Sequence, residues 1–232
     1  MSEVAVIMCT WKRPERLKNT LELVLAQTNK NFAFYIWNNN SEINNVVDLI
    51  YEEYKDKLEF SIIHSEKNVG GFGRYYLART LIDKYEKFIF IDDDQTFSKE
   101  MINIFLNHYD NNAVKSRWSW KFNSCSYYDR HKIDNSGIFT HYCGTGGMIV
   151  PSKLFKCEKL YEIPEEFLFV EDLWLCFIAN HYLSMKLISI ADDGFIRQET
   201  DGKDQSTISF LTVKNKLLNY LIKVKGWRIL EK

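Results

Sequence analysis

Val4–Cys9 opens the chain with a short unbroken apolar run, the pattern of a strand buried on both faces of a parallel sheet. Pro14 suits the first turn of a helix, and Leu17, Leu21, Val24 and Leu25 follow it at helical spacing. Phe32–Trp37 reads as a second strand, stopped by the turn Asn38–Asn39–Asn40–Ser41. Ser41 there suits an N-cap for a helix carrying Ile43, Val46, Val47, Ile50 and Tyr54. A third strand at Phe60–Ile63, a glycine-bearing turn at Asn68–Val69–Gly70–Gly71 and a helix through Leu77, Leu81 and Tyr85 come next. The fourth apolar run, Phe88–Ile91, ends directly in Asp92–Asp93–Asp94. Alternation of strands and helices predicts a right-handed, doubly wound parallel sheet. Such sheets bind ligands at the carboxyl ends of their strands, and Thr10–Arg13, Asn38–Ser41 and Asp92–Asp94 all fall there.

After the carboxylates the rhythm changes. A helix near Ser98–Tyr109 is followed by strand-like Val114–Phe122 and Ile138–Val150. Glu171–Asp172 then leads into a helix through Leu175, Ile178, Ala179 and Tyr182, and Lys186–Ala191 reads as the last strand. The polar segment Asp192–Thr207 reads as a mobile loop and Phe210–Leu230 as a Lys-rich amphipathic helix. No internal repeat or Pro/Gly/Ser linker divides the chain, so a single α/β domain with a mixed second half is expected.

Composition narrows the function classes. Lys+Arg total 30 against 31 Asp+Glu, so no global charge favours nucleic acid, and none is expected as a partner. Hydrophobic residues make up 46%, which suits a sizeable core in a chain of 232 residues. The five cysteines are scattered without a CxxC pair, which suits reduced thiols, and no secretion signal precedes the first strand. Cytoplasmic placement is the expectation.

Three adjacent carboxylates repel one another unless a cation or hydrogen-bond donors stand nearby. Side chains alternate along an extended chain, so Asp92 and Asp94 can share one side and offer two oxygens to Mn²⁺ or Mg²⁺. The same triplet also fits a solvated turn, or an N-cap for the helix near Ser98–Tyr109. Glu171 and Asp172 likewise suit acid–base chemistry, or merely the favourable N-terminal end of a helix.

In order along the chain, Thr10–Trp11–Lys12–Arg13–Pro14–Glu15, Asn39–Asn40–Ser41, Asn68–Val69–Gly70–Gly71, Ile91–Asp92–Asp93–Asp94, Gly146–Gly147–Met148–Ile149–Val150 and Phe169–Val170–Glu171–Asp172–Leu173 resemble the motifs of family 2 glycosyltransferases. The resemblance implies the α/β GT-A fold: a Rossmann-like, mostly parallel central sheet flanked by helices, with a mixed, acceptor-side second half. It implies one domain over 1–209, its nucleotide-binding half over about 1–97 and its acceptor-binding half over about 98–209, followed by a basic amphipathic helix over 210–232.

It also implies roles. Thr10, Trp11 and Arg13 would line the nucleotide pocket. Asn38 and Asn39 fall where the family often has acidic residues on the base; their amides could serve a uracil or thymine, or simply form a turn. Asn68 belongs to the nucleotide-side turn, where Gly70 and Gly71 would admit the nucleotide closely. Arg74 and Arg79 would face ribose or diphosphate, or else solvent. Asp92 and Asp93 would touch the donor, with Asp92 and Asp94 on the metal. Gly146 and Gly147, in the run from Gly144, would border the donor sugar or form a tight strand entry. Asp172 would be the general base of an inverting transfer, with Glu171 orienting it.

The expected donor is a UDP- or dTDP-type sugar, and the expected acceptor a glycan or lipid-linked sugar. A histidine that some members carry on the loop after the last strand is absent; Phe195–Asp201 offers Gln198 or Glu199 instead. His141 and His181 read as structural. Trp118 and Trp120 read as core, with a sugar-stacking platform as the alternative. The C-terminal stretch reads as a solvated helix covering the domain, ahead of a peripheral contact with an anionic membrane. Two competing functions remain: a binding domain without turnover, and a sugar-phosphate nucleotidyltransferase, which the glycine-free Thr10–Pro14 segment disfavours.

Overall fold

A computed structural model describes residues 3–199 and 207–231. The first half follows the alternation: β1 (Val4–Thr10), α1 (Pro14–Leu25), β2 (Phe32–Asn38), α2 (Asn44–Tyr54), β3 (Phe60–His64), α3 (Gly73–Leu81) and β4 (Lys87–Asp92). Pro14 opens α1, as expected, because the first helical residue needs no amide hydrogen. Ser41 does not cap α2. It opens a short 3₁₀ turn, Ser41–Ile43, capped by Asn40, whose side chain accepts from the Glu42 amide. Val46, placed on the apolar face by its spacing, is 45% exposed, while Val47, Ile50 and Tyr54 are buried.

The second half is more broken than its hydrophobicity implies. It runs β5 (Gln95–Phe97), α4 (Met101–His108), β6 (Ala113–Ser116), β7 (Ser119–Phe122), β8 (Arg130–Lys132), β9 (Tyr142–Cys143), β10 (Met148–Pro151), α5 (Glu171–Phe177), β11 (Lys186–Ser189), β12 (Ile196–Gln198) and α6 (Thr207–Lys223). Val114–Phe122 is therefore not one strand. The chain turns at Arg117–Trp118, so β6 and β7 belong to different sheets, and Trp118 and Trp120 do not alternate on a common strand. Of Ile138–Val150 only β9 and β10 are extended strands. The helix after Glu171 ends at Phe177 and passes into a single π turn, Ile178–Tyr182. Lys186–Ala191 is not the last strand either, because β12 follows within the segment read as a loop; Thr200 and the residues to 206 lie outside the described residues.

The main sheet has seven strands in the order β11-β6-β10-β4-β1-β2-β3. Strands β4, β1, β2 and β3 are parallel, and β10 runs antiparallel between β4 and β6. Alternate side chains of one strand serve opposite faces. Ala5 and Ile7 of β1, with Phe88 and Phe90 of β4, join the core formed with α3, α5 and α6. Val4, Val6 and Met8, with Ile89 and Ile91, join the core formed with α1, α2 and α4. Strands buried on both sides explain the unbroken apolar runs. From α6, Leu217, Leu218 and Leu221 are fully buried in the first of these cores, so the C-terminal helix covers the domain. Among the described residues no helix is long and apolar enough to cross a membrane. All five cysteines are unbridged.

Candidate active site

Register brings the strand ends together. Thr10 lies opposite Asn38, Asn38 opposite His64, and Cys9 opposite Asp92. Because β10 is antiparallel to β4, the segment that enters it, Gly146–Gly147, lies beside the carboxyl end of β4; the Gly147 amide donates to the Phe90 carbonyl at 2.8 Å. Two distant stretches of sequence thus meet at Asp92.

Two arginines answer the repulsion within the triplet. Arg74 donates to Asp92 Oδ1 at 2.7 Å, and Arg13 reaches Asp94 Oδ2 at 3.1 Å and Asp93 Oδ1 at 3.5 Å. Asp93 also accepts from the Thr10 hydroxyl at 3.1 Å, so it faces Thr10 and Arg13. Burial, with the adjacent Asp94 charge, pushes the Asp93 carboxyl up to about 6, and burial likewise raises Asp94. The strand pair β5–β12, invisible in the sequence pattern, closes over this turn. The Glu199 amide donates to the Asp94 carbonyl at 2.7 Å, and Gln95 bridges the Asp92 amide and the Gly146 carbonyl.

Several expected ligand contacts are redirected inward. Arg74 is 4% exposed and braces the Gly71 carbonyl as well as Asp92, so its guanidinium does not face solvent. Arg79 turns away from the strand ends, pairing with Glu158 and lying over Tyr161. Asn38 donates to the Asn40 carbonyl, Asn44 and His64, and accepts from the Asn40 amide. Asn39 accepts from Trp37 and the Val69 amide and donates to the Gly70 carbonyl. Both side-chain amides hold turns together here, the turn role that is the alternative to reading a base. The Asn68 side chain likewise accepts from the Gly70 amide, supporting the left-handed Gly70 at φ +59°. Trp11 is 42% exposed, with the Lys12 ammonium over its ring at 4.2 Å from the centroid.

The triplet suits a hard divalent cation on one structural ground. Asp94 Oδ1 is buried without a hydrogen-bond partner, an expensive state unless something charged completes it. Gly146 leaves the adjoining space open: a Cβ there would lie 2.0 Å from Asp92 Oδ2. Carboxylate oxygens are the donor type that Mg²⁺ and Mn²⁺ take. Among the described residues no three His, Cys, Asp or Glu side chains are grouped to hold a metal, so other ligands would have to come from substrate and water. Gln198, which hydrogen-bonds Asp94, helps shape the carboxylate rather than adding a charge.

Glu171 and Asp172 occupy the first turn of α5 and are 6% and 8% exposed. Glu171 packs against the Asn68–Gly71 turn, where a Cβ on Gly71 would fall 1.9 Å from its Oε1. Burial and the Asp172 charge push its carboxyl up to about 7, with Arg74 opposing. Asp172 turns the other way. Its Oδ2 accepts from the Tyr142 hydroxyl and from Lys214 of α6 at 2.7 Å, and its Oδ1 accepts from the Leu173 amide at 2.8 Å. Tyr142 stacks on Trp120 at 5.0 Å, so Trp120 supports the site as packing. Neither Tyr142 nor Lys214 was singled out from sequence for this role; Lys214 stood among the basic residues of a surface helix, with no local sign that it turns inward.

The model of the glycosyl transferase family 2 domain matches residues 5–160. The chain belongs to this family. An uncharacterized glycosyltransferase of Methanocaldococcus jannaschii is 25% identical over 191 residues, covering 77% of this chain and 66% of the relative. Two solved structures share the fold. Staphylococcus aureus TarS 1-349 in complex with UDP-GlcNAc has a TM-score of 0.64 at 16% identity, over 94% of this chain and 66% of that one. The mannosyltransferase PcManGT from Pyrobaculum calidifontis, in complex with GDP-Man and Mn²⁺, has a TM-score of 0.67 at 10% identity, over 96% and 64%. The chain thus spans slightly less than two thirds of each of these relatives, and the structural likeness shows the GT-A fold. Glu171, Asp172 and Lys214 lie beyond the family-matched segment.

Proposed function

We propose that this protein transfers a sugar from a nucleotide-diphosphate sugar to a hydroxyl acceptor, with inversion at the anomeric carbon. The observation that carries the reading is the buried, unpartnered Asp94 Oδ1 beside Asp92 and the Gly146 opening, with a second carboxylate pair at the head of α5. Arg74 connects the two groups, bonding both Asp92 and the carbonyl of Gly71, against which Glu171 packs.

Asp92 and Asp94 would hold Mn²⁺ or Mg²⁺, which when bound supplies positive charge to a diphosphate leaving group. Trp11 and Arg13 follow β1 and would line the nucleotide with Thr10, while Asp94 and Asp93, the latter held by the Thr10 hydroxyl, hold Arg13 in place. Gly70, Gly71, Gly146 and Gly147 keep side chains out of the donor's path. Asp172 takes the proton of the acceptor hydroxyl as its oxygen bonds to C1. The bond from C1 to the diphosphate oxygen breaks with its electron pair on the leaving nucleotide. A positioned base of this kind contributes about 10²–10⁴-fold.

With the amides of Asn38 and Asn39 engaged internally, those residues do not support a pyrimidine preference. UDP-, dTDP- and GDP-sugars should therefore be compared. The test is nucleoside diphosphate release from such a panel with Mn²⁺, with EDTA, Asp94→Ala and Asp172→Asn as controls. Turnover that requires metal and both carboxylates is expected. A retained anomeric configuration, or full activity in Asp172→Asn, would refute the inverting mechanism. Tight nucleotide binding without turnover of any donor would instead support a binding domain.

A further inference from the structure

The C-terminal helix does more than cover the core. Lys214 leaves the basic face of α6 and runs inward: its side chain is 18% exposed, and its ammonium lies 2.7 Å from both Asp172 Oδ2 and the Tyr142 hydroxyl. The ammonium also faces the rings of Tyr142 and Tyr127, at 5.1 and 5.7 Å from their centroids. Trp120 and Phe122 stack with Tyr142, fixing the phenol that completes the arrangement. Hence two strong donors, from elements far apart in sequence, fasten one oxygen of a single carboxylate.

We propose that Lys214 is a positioning residue for sugar transfer, holding Asp172 by Oδ2 so that Oδ1 is presented to the acceptor hydroxyl. This rests on the glycosyl-transfer reading given above. A buried carboxylate without a countercharge is costly, and one free to rotate rarely meets the in-line geometry. Lys214 and Tyr142 address both problems at the same oxygen. Oδ1 accepts from the Leu173 amide, which leaves a lone pair for the incoming proton. In the balanced step that proton moves from the acceptor oxygen to Oδ1. The ammonium keeps its own protons throughout, so Lys214 acts through Asp172 and not on the substrate.

The test uses the full chain with Mn²⁺ and UDP-glucose, UDP-N-acetylglucosamine and GDP-mannose as probes, following hydrolysis of the donor with water as acceptor. Lys214→Met is expected to lower kcat about 10–100-fold, with donor KM and UDP binding within about twofold of wild type, because misplacing a catalytic group affects the chemical step. Lys214→Arg is expected to recover most of that loss. Wild-type kcat in Lys214→Met would overturn the proposal. So would equal losses in the Met and Arg variants accompanied by weakened UDP binding, which would mark a purely structural lysine. A wild-type protein inactive on these probes and on the dTDP-sugars of the wider panel would overturn the transfer reading and this role with it, an outcome distinct from an active wild type indifferent to Lys214.

Discussion

Replacing Glu171 with Gln should stabilise the protein at alkaline pH and leave it unchanged in acid. Glu171 is 6% exposed, and burial, followed by the Asp172 charge, pushes its carboxyl from an ordinary 4.5 to about 7. The folded chain therefore binds a proton that the unfolded chain releases between those values. This contribution to stability is fully present below about pH 4.5, falls as pH rises, and is lost above about pH 7. A tenfold change in proton affinity corresponds to about 1.4 kcal/mol, so the wild type loses up to roughly 3 kcal/mol across that window. Gln resembles the neutral carboxyl and can still accept from the Thr145 hydroxyl, which lies 3.4 Å from Glu171 Oε1. Guanidinium unfolding of both proteins at pH 4.5 and pH 8 measures the difference. The variant should gain roughly 1–3 kcal/mol over wild type at pH 8, or about 2–10 °C in Tm, and nothing at pH 4.5. Equal stabilities at both pH values, or a less stable variant at pH 8, would refute the assignment of a burdened carboxylate to this position.

Gly146→Ala should abolish most of the Mn²⁺- and UDP-dependent rise in Tm, since its Cβ would meet Asp92 Oδ2 at 2.0 Å and Gln95 Nε2 at 2.7 Å; a thermal shift equal to wild type would count against the metal reading. Gly73→Ala drives a methyl to 2.3 Å from the Trp37 ring, so overpacking should cost about 1–3 kcal/mol in urea unfolding, whereas an unchanged midpoint would mean that the helix start relaxes freely. Leu221→Ala should cost about 2–5 kcal/mol because the residue is fully buried on the core-facing side of α6. Chemical denaturation tests this last expectation, and a cost below that of an exposed site would show that the helix is not part of the core.

Much of the first half was legible because its signals are local. A strand buried on both faces needs an unbroken apolar run, and both β1 and β4 show one. An acidic triplet that follows such a run must lie at the sheet's carboxyl edge, whatever the remaining chain does. The second half was less legible because its strands are two to four residues long, too short for periodicity to separate them. Trp118 shows the consequence. Apolar spacing drew a single strand through it, while the chain turns there to change sheets.

The sequence by itself determined the α/β alternation, the order of the motifs and the edge of the sheet to which Asp92 belongs, because steric and hydrophobic preferences act over a few residues. Only the tertiary structure decided where each polar group finds its partner. It turned Asn38, Asn39 and Arg74 inward, paired β5 with β12 over the triplet, and brought Lys214 across 42 residues of chain to Asp172. Buried donors and acceptors must be satisfied somewhere, but their partners come from whatever the fold brings near, and no local pattern records that choice.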